Sequence, residues 1–483
     1  MVKAKTVANK SMVRDPVLAA VVLAFSLLAF FVGSAHEPWA DEAQAWLIAR
    51  DATLHNLLFQ LPHAELNPSL WHLLLIIPST YLSYEALRYI ALFFGILGVV
   101  IFVYYSPFPK SIKVILPFTY FIFYQYTIVA RSYSLFALVI FAIGLHHKHR
   151  FEKPFTYSVL IAVLAYTHSF GALASGGLIG MHVLDLIRER HSLHKDAIIR
   201  NLTCIGIPVG VICFLLYQVF PIRQRTLSTR WHFDFDYTLS TLKLSLNESF
   251  TGITALSLLI LLITVFWFWQ RKVLLLYLAL ITPVITVIVI KFYNHWHLGL
   301  LFLLWTLVLW ISFESKSESR AASLIPYTRK AIVGCIYVVL GFHVYWAAAA
   351  SYADYNGPYS CGKNVAQLLK HNNIKERRVH ARNFWSIAAL PYFEGKMFYN
   401  INPDSDFGYW TFFEPDKIED MKTVLATRPD AIVLSRMNLE QDYDSYVRNN
   451  FKGYVYWKDR IKEKNYCTVY IRKDLYNDIP TGQ

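Results

Sequence analysis

Charge is what this chain has least of. Asp, Glu, Lys and Arg make up 16% of its 483 residues, where an ordinary soluble domain carries about 25%. With a mean hydropathy of +0.36, that shortage excludes an ordinary soluble globular protein. Carboxylates are scarcer than cations, 33 against 46. Five cysteines are too few for a disulfide-dense scaffold. There is no internal repeat, low-complexity tract or long flexible linker, and no zinc-ligand spacing, phosphate-cradling glycine loop or Ser-His-Asp order stands out.

What the chain does have is apolar length. Hydrophobic residues reach 55% and aromatic residues 16%. Runs of roughly 15 to 20 such residues recur from Val17 to Ala350, and only an α-helix of about that length satisfies its own backbone while crossing about 30 Å of hydrocarbon. The runs predict spans near residues 16–34, 88–106, 112–129, 132–147, 155–167, 169–187, 201–219, 252–270, 273–290, 298–313 and 331–350. Ser69–Leu82 is shorter and carries His72 and Pro78, which reads as a re-entrant or juxtamembrane helix. Lys3, Lys5, Lys10 and Arg14 precede the first run as they would in a signal peptide. Its apolar core is too long and its cleavage pattern too weak, so a retained span with a cytoplasmic amino terminus is expected.

The net charge of +13 does not point to nucleic acid, because the cations sit in short segments between apolar runs. If Ser69–Leu82 does not span, loops bearing Lys110, Lys113, Lys148, Arg150, Lys153, Arg188, Arg190, Arg271 and Lys272 all face the cytoplasm. That is the positive-inside distribution, and the opposite assignment reverses it. The carboxy-terminal region then lies outside. Residues 351–483 are expected to form a soluble extracytoplasmic α/β domain after a transmembrane domain at residues 1–350. Within it, Val365, Leu368 and Leu369 mark a helix, and strands are expected near Arg378–Arg382, Lys396–Tyr399 and Ala431–Leu434. Helices are expected near Ser386–Phe393 and Asp416–Thr427, and a hairpin at Tyr454–Trp457 with Thr468–Ile471. Cys204, Cys213 and Cys335 lie in apolar spans as core residues. Cys361 and Cys467 both fall in the tail domain, where an oxidising compartment would permit a bridge if the fold brings them together.

On this topology the polar chemistry collects on the outside. The first loop runs His36-Glu37-Pro38-Trp39-Ala40-Asp41-Glu42 and on to Asn67-Pro68-Ser69. Carboxylates after Pro38 suit the amino-terminal end of a helix, so capping alone explains them. Trp39, Ala43 and Trp46 form an apolar stripe, which lays this helix along the membrane surface. Asp41 and Glu42 are about 100° apart on it, so one faces a ligand and the other points into the protein. Arg131 has almost no loop to sit in and lies near membrane depth, where a cation needs a specific partner. Tyr133, His168, His295 and His297 fall on the same side, as do Arg223, Arg225 and Arg230, cations suited to a lipid phosphate. His146, His147 and His149 have metal-like spacing but read as interfacial.

Taken in order, Asp41-Glu42, Asn67-Pro68-Ser69-Leu70-Trp71, Ala86-Leu87-Arg88 and Ala130-Arg131-Ser132-Tyr133-Ser134 resemble the GT-C class of integral-membrane glycosyltransferases. That class includes protein O-mannosyltransferases and lipid A aminoarabinose transferases. The resemblance covers the first third of the chain; the rest matches in layout. Asn67-Pro68-Ser69 stands where a His-Pro-Pro triplet is common in the class. The resemblance implies a polyprenyl-phosphate-sugar donor, an extracytoplasmic glycan, lipid or protein acceptor, residence in a bacterial inner membrane, and a catalytic aspartate in the first outside loop. Asp41 is then the general base of an inverting displacement. Glu42 organises the loop by pairing with Arg88, and Arg131 with Arg223 or Arg225 holds the donor phosphate, beside Tyr133, His168 and His297. Several cations are at hand for a phosphate leaving group, so no metal cofactor is required. The competing readings are a lipid-linked sugar flippase, for which repeat-related halves and helices broken at the midplane would be the sign, and a glycan-binding assembly subunit.

Overall fold

The computed structural model describes residues 15–222, 234–315, 322–357, 359–412, 421–435, 450–459 and 464–477. Arg223, Arg225 and Arg230 lie outside the described residues.

The first helix, Pro16–Ala35, starts where Asp15 accepts the Val17 N–H at 3.0 Å and Pro16 supplies a preset first turn. It buries Leu18, Val21, Phe25, Ala29 and Val32 at spacings of three and four, yet Leu23, Leu27, Phe30 and Phe31 stay exposed on its other side. An apolar face left open beside an apolar buried face has lipid, not water, as its solvent. Among the described residues, six helices are long and apolar enough to cross a membrane: Pro16–Ala35, Ala86–Tyr105, Ser169–Arg188, Lys195–Val219, His295–Glu314 and Ile325–Tyr355. Leu70–Tyr81, Tyr133–His147, Pro154–Thr167 and Leu274–Ile290 are apolar but shorter. His295–Glu314 runs through the centre of the bundle, buried on every side from His297 to Ser312.

Two stretches depart from straight spans. The run expected at 112–129 is broken into a helix at Lys110–Ile115, a 3-10 turn at Leu116–Phe118 and a π-helix at Tyr120–Ile128. Pro117 carries no N–H for an α ladder, and the wide π turn closes with Val129 N–H donating to the Tyr124 carbonyl at 3.1 Å. Further on, Phe235–Phe250 and Thr254–Gln270 meet at a 77° bend, with Gly252 at φ +76° in the break. Broken helices, absent from the sequence pattern, are therefore present.

The helix Ile325–Tyr355 overruns the expected boundary at 350 and leads into the tail domain. There Gly362–His371 packs over a sheet of β1 (Val379–Arg382), β2 (Ala431–Ser435), β3 (Phe451–Asp459) and β4 (Lys464–Arg472). The strand order is β1-β2-β4-β3, with β1 parallel to β2 and the other pairs antiparallel. The helix expected near Ser386–Phe393 is present as a 3-10 helix at Phe384–Tyr392, and Met421–Ala426 is the described part of the expected helix at 416–427. The strand expected at Lys396–Tyr399 reduces to a single bridge between Phe398 and Val379. The reason is Asn400, whose side-chain amide accepts from Ala381 N–H at 2.9 Å and donates to its carbonyl at 2.7 Å, taking the place of the next backbone pair.

Cys361 and Cys467 are bonded, joining the start of the Gly362–His371 helix to β4 with Cα atoms 6.0 Å apart. Of the span cysteines only Cys335 is buried, and Cys213 faces outward.

Candidate active site

The helix carrying the acidic pair, Ala40–Asp51, does not lie open on a membrane surface. Every residue from Glu42 to Ala49 is buried, because it packs against the Leu70–Tyr81 helix on one side and the Phe384–Tyr392 segment of the tail domain on another. Its polar residues are the fasteners. The Gln44 amide accepts from Trp410 N–H and donates to the Trp410 carbonyl, each at 2.8 Å, and Asp51 accepts from Gly408 N–H at 2.8 Å.

The two neighbouring carboxylates part company as the helical geometry requires. Glu42 points inward and is 0% exposed. It accepts from Ala130 N–H at 2.6 Å and from Trp39 N–H at 3.1 Å, and it lies 3.1 Å from His36 Nε2. The other ring nitrogen of His36 lies 2.7 Å from Asp354 Oδ2, on the last turn of Ile325–Tyr355. Burial alone would lower the His36 pKa, but the Asp354 and Glu42 carboxylates outweigh it and hold the ring charged, at about 10. This chain of charges pins the first loop, the Ala130 turn and the last bundle helix together. The pairing of Glu42 with Arg88 does not occur: Arg88 donates to the Ser34 carbonyl at 3.0 Å and lines a separate cavity with Glu37 and Lys363.

Asp41 points the other way, into a cavity of about 200 Å³. Its Oδ2 lies 2.8 Å from Arg131 Nη1, the two side chains being 23% and 18% exposed. The fixed Ala130 N–H to Glu42 bond sets where the chain leaves the π-helix, and so where Arg131 emerges. Its guanidinium is caged by three rings, 5.1 Å from Tyr133, 5.6 Å from Trp296 and 5.8 Å from Trp39. His168 also lines the cavity. Its Nδ1 accepts the Phe170 N–H at 3.2 Å, so Nε2 carries the proton and faces the Tyr133 hydroxyl at 3.3 Å. Tyr133 is fully buried, beneath Arg131. His297 stands behind, its ring 5.9 Å from His168 and its Nδ1 2.8 Å from the Phe292 carbonyl. Of the residues expected to touch a substrate, then, Asp41, Arg131 and His168 face one cavity. Glu42, Tyr133 and His297 support it, and Arg88 belongs elsewhere.

The sequence reading missed Glu65. It ends the short helix Pro62–Glu65, lines the same cavity, and accepts from the Gln44 amide at 2.8 Å. Burial, reinforced by the charge of Asp41, raises its pKa to about 7 against the pull of Gln44 and Arg131. It therefore exchanges a proton near neutrality, beside the Asp41–Arg131 pair. Asn67 and Pro68 line the cavity floor beside Glu65, and Phe384 and Phe412 of the tail domain bring apolar surface to it.

The chain matches no family model, no curated protein and no solved structure. The functional reading therefore rests on the geometry of this cavity and on the sequence resemblance.

Proposed function

We propose that the protein is a membrane glycosyltransferase of the GT-C type, moving a sugar from a polyprenyl-phosphate carrier to an acceptor hydroxyl outside the cytoplasm. The observation that carries the proposal is the Asp41–Arg131 pair, a carboxylate and a caged guanidinium facing one cavity between the bundle and the tail domain. A displacement at a sugar phosphate needs both a proton acceptor and a cation for the leaving phosphate.

At rest Arg131 neutralises Asp41 and weakens it as a base. A donor phosphate entering the cavity competes for the guanidinium, and as Arg131 turns to it Asp41 is released to accept a proton. The acceptor oxygen then attacks the anomeric carbon with inversion, its proton passes to Asp41, and the carbon–oxygen bond to phosphate breaks with both electrons leaving on the polyprenyl phosphate beside Arg131. Glu65 supplies a second proton site next to Asp41. An eleven-crossing path with Leu70–Tyr81 re-entrant would need, beyond the six long apolar helices, the shorter Tyr133–His147, Pro154–Thr167 and Leu274–Ile290, the Thr254–Gln270 helix and the broken stretch 110–128 each to cross. The Cys361–Cys467 bond accords with an extracytoplasmic tail domain.

The bend of 77° at Gly252 and the broken helix before Arg131 favour the flippase alternative, and one experiment separates the two. Purified protein in detergent is given a radiolabelled polyprenyl-phosphate sugar and an envelope extract. Transfer is expected, and Asp41→Asn should reduce it by about 10²- to 10⁴-fold, the usual worth of a general base. Undiminished transfer by Asp41→Asn refutes the catalytic assignment, and translocation in vesicles without transfer replaces the transferase by the flippase.

A further inference from the structure

The Tyr133–His147 helix begins under Arg131 and, at about 1.5 Å per residue, ends roughly 20 Å away. At that far end lies a second cavity of about 400 Å³, twice the volume of the Asp41 cavity. Its rim carries five cations, Lys148, Arg150, Arg188, Arg271 and Lys272, against three carboxylates, Asp185, Glu189 and Glu314.

The carboxylates are largely spoken for. Asp185 lies 2.9 Å from Arg150 and 3.6 Å from Arg188, and Glu314 lies 2.9 Å from Lys148. Glu189 accepts from the Ser192 hydroxyl at 2.6 Å. Arg271 and Lys272 make no ion pair among the described residues. They occupy the tight turn joining the Thr254–Gln270 and Leu274–Ile290 helices, where Lys272 takes φ +57°. Arg271 is aimed by its Nε, which donates to the Ser312 carbonyl at 3.1 Å, and by its position 5.5 Å from the Trp267 ring. Among the described residues its outer nitrogens meet no carboxylate, which leaves them for a ligand.

The inner wall is apolar, with Leu178, Met181, Leu276 and Ile311. It lies below the crossing at which Gly177 lets Ser169–Arg188 approach Leu274–Ile290 so closely that a Cβ would sit 2.5 Å from the Ala279 carbonyl. A cavity with two cations at its mouth that meet no carboxylate among the described residues, and with an apolar interior walled by apolar helices, suits an amphiphile whose head is a phosphate.

We propose that this cavity is a binding site for a phosphate ester, seated between Arg271 and Lys272 and carried by an anionic lipid whose chain lies on the Leu178–Leu276 wall. The site is separate from the Asp41 cavity, and its test does not depend on transferase activity.

The test follows thermal unfolding of the full chain in neutral detergent during titration with phosphatidylglycerol, phosphatidylcholine or glycerol phosphate. Phosphatidylglycerol is expected to raise the midpoint saturably, as binding to the folded state must, and phosphatidylcholine to do much less. A saturable rise with glycerol phosphate alone, matching that with the lipid, would support the phosphate-ester site while assigning it a soluble ligand. The double variant Arg271→Gln, Lys272→Asn should bind the lipid about thirtyfold more weakly, taking about fivefold for each cation near the headgroups. Asn tolerates the left-handed backbone at 272, so fold loss is not expected. The charge-keeping Arg271→Lys should retain the effect and controls for the lost Ser312 contact. Equal response to both phospholipids, no saturable response to any ligand, or a full response in the double variant overturns the proposal.

Discussion

Glu42→Ala should be among the most damaging single changes this protein can suffer, and its neighbour Asp41→Asn among the milder ones for the fold. Removing the Glu42 carboxylate strips a partner from two buried N–H groups, Ala130 and Trp39, and from one side of the charged His36. A buried donor left unsatisfied costs about 1–3 kcal/mol, and breaking a buried ion pair from one side costs about 3–5 kcal/mol. These penalties describe the same groups and do not simply add, so about 3–5 kcal/mol is the expected loss. Asp41 and Arg131 are 23% and 18% exposed, and a pair so placed contributes about 1 kcal/mol or less. Denaturant midpoints of the two variants in one detergent, read by tryptophan fluorescence, compare them directly. Should Glu42→Ala unfold within about 1 kcal/mol of the parent, or Asp41→Asn prove the more fragile, the division into an inward scaffold carboxylate and an outward chemical one is wrong.

The pH dependence of stability offers two more tests. His36 titrates at about 10 in the folded protein against an ordinary 6.5, so its contribution is whole below pH 6.5 and fades as pH rises through 10. The unfolding midpoint should fall across that window, and less steeply in His36→Gln. Glu65, raised from 4.5 to about 7, likewise favours folding only while protonated, so stability should decline between those values. Glu65→Gln should flatten that decline and remove any limb near pH 7 from the transfer rate, as pH-dependent melting and rate profiles would show.

Much of the site is legible in the chain because helical periodicity is local. Residues one apart on a helix diverge by about 100°, which alone separates Asp41 from Glu42. The absence of loop around Arg131 likewise calls for a nearby anion. The partners of the scaffold are another matter. His36 and Asp354 lie 318 positions apart and Gln44 and Trp410 366 apart, and no periodicity links such pairs. Arg88 is the instructive miss: it sits in the first turn of the Ala86–Tyr105 helix, yet its guanidinium reaches the Ser34 carbonyl and not Glu42. Glu65 left a faint signal, as a carboxylate two residues ahead of the Asn67-Pro68 turn. The tail strand at Lys396–Tyr399 failed because a side-chain amide can imitate backbone, which pattern alone does not register.

The grips of Gln44 on Trp410 and of Asp51 on Gly408 fasten the tail to the helix that carries Asp41. On the proposed reading, bond-making belongs to the bundle, whereas part of the surface an incoming acceptor meets is supplied by the tail through Phe384 and Phe412. Exchanging the tail for a related one that kept a backbone ribbon opposite Gln44 would then redirect which molecules are decorated without disturbing the chemistry beneath, a division of labour that lets recipient preference drift while the reaction stays fixed.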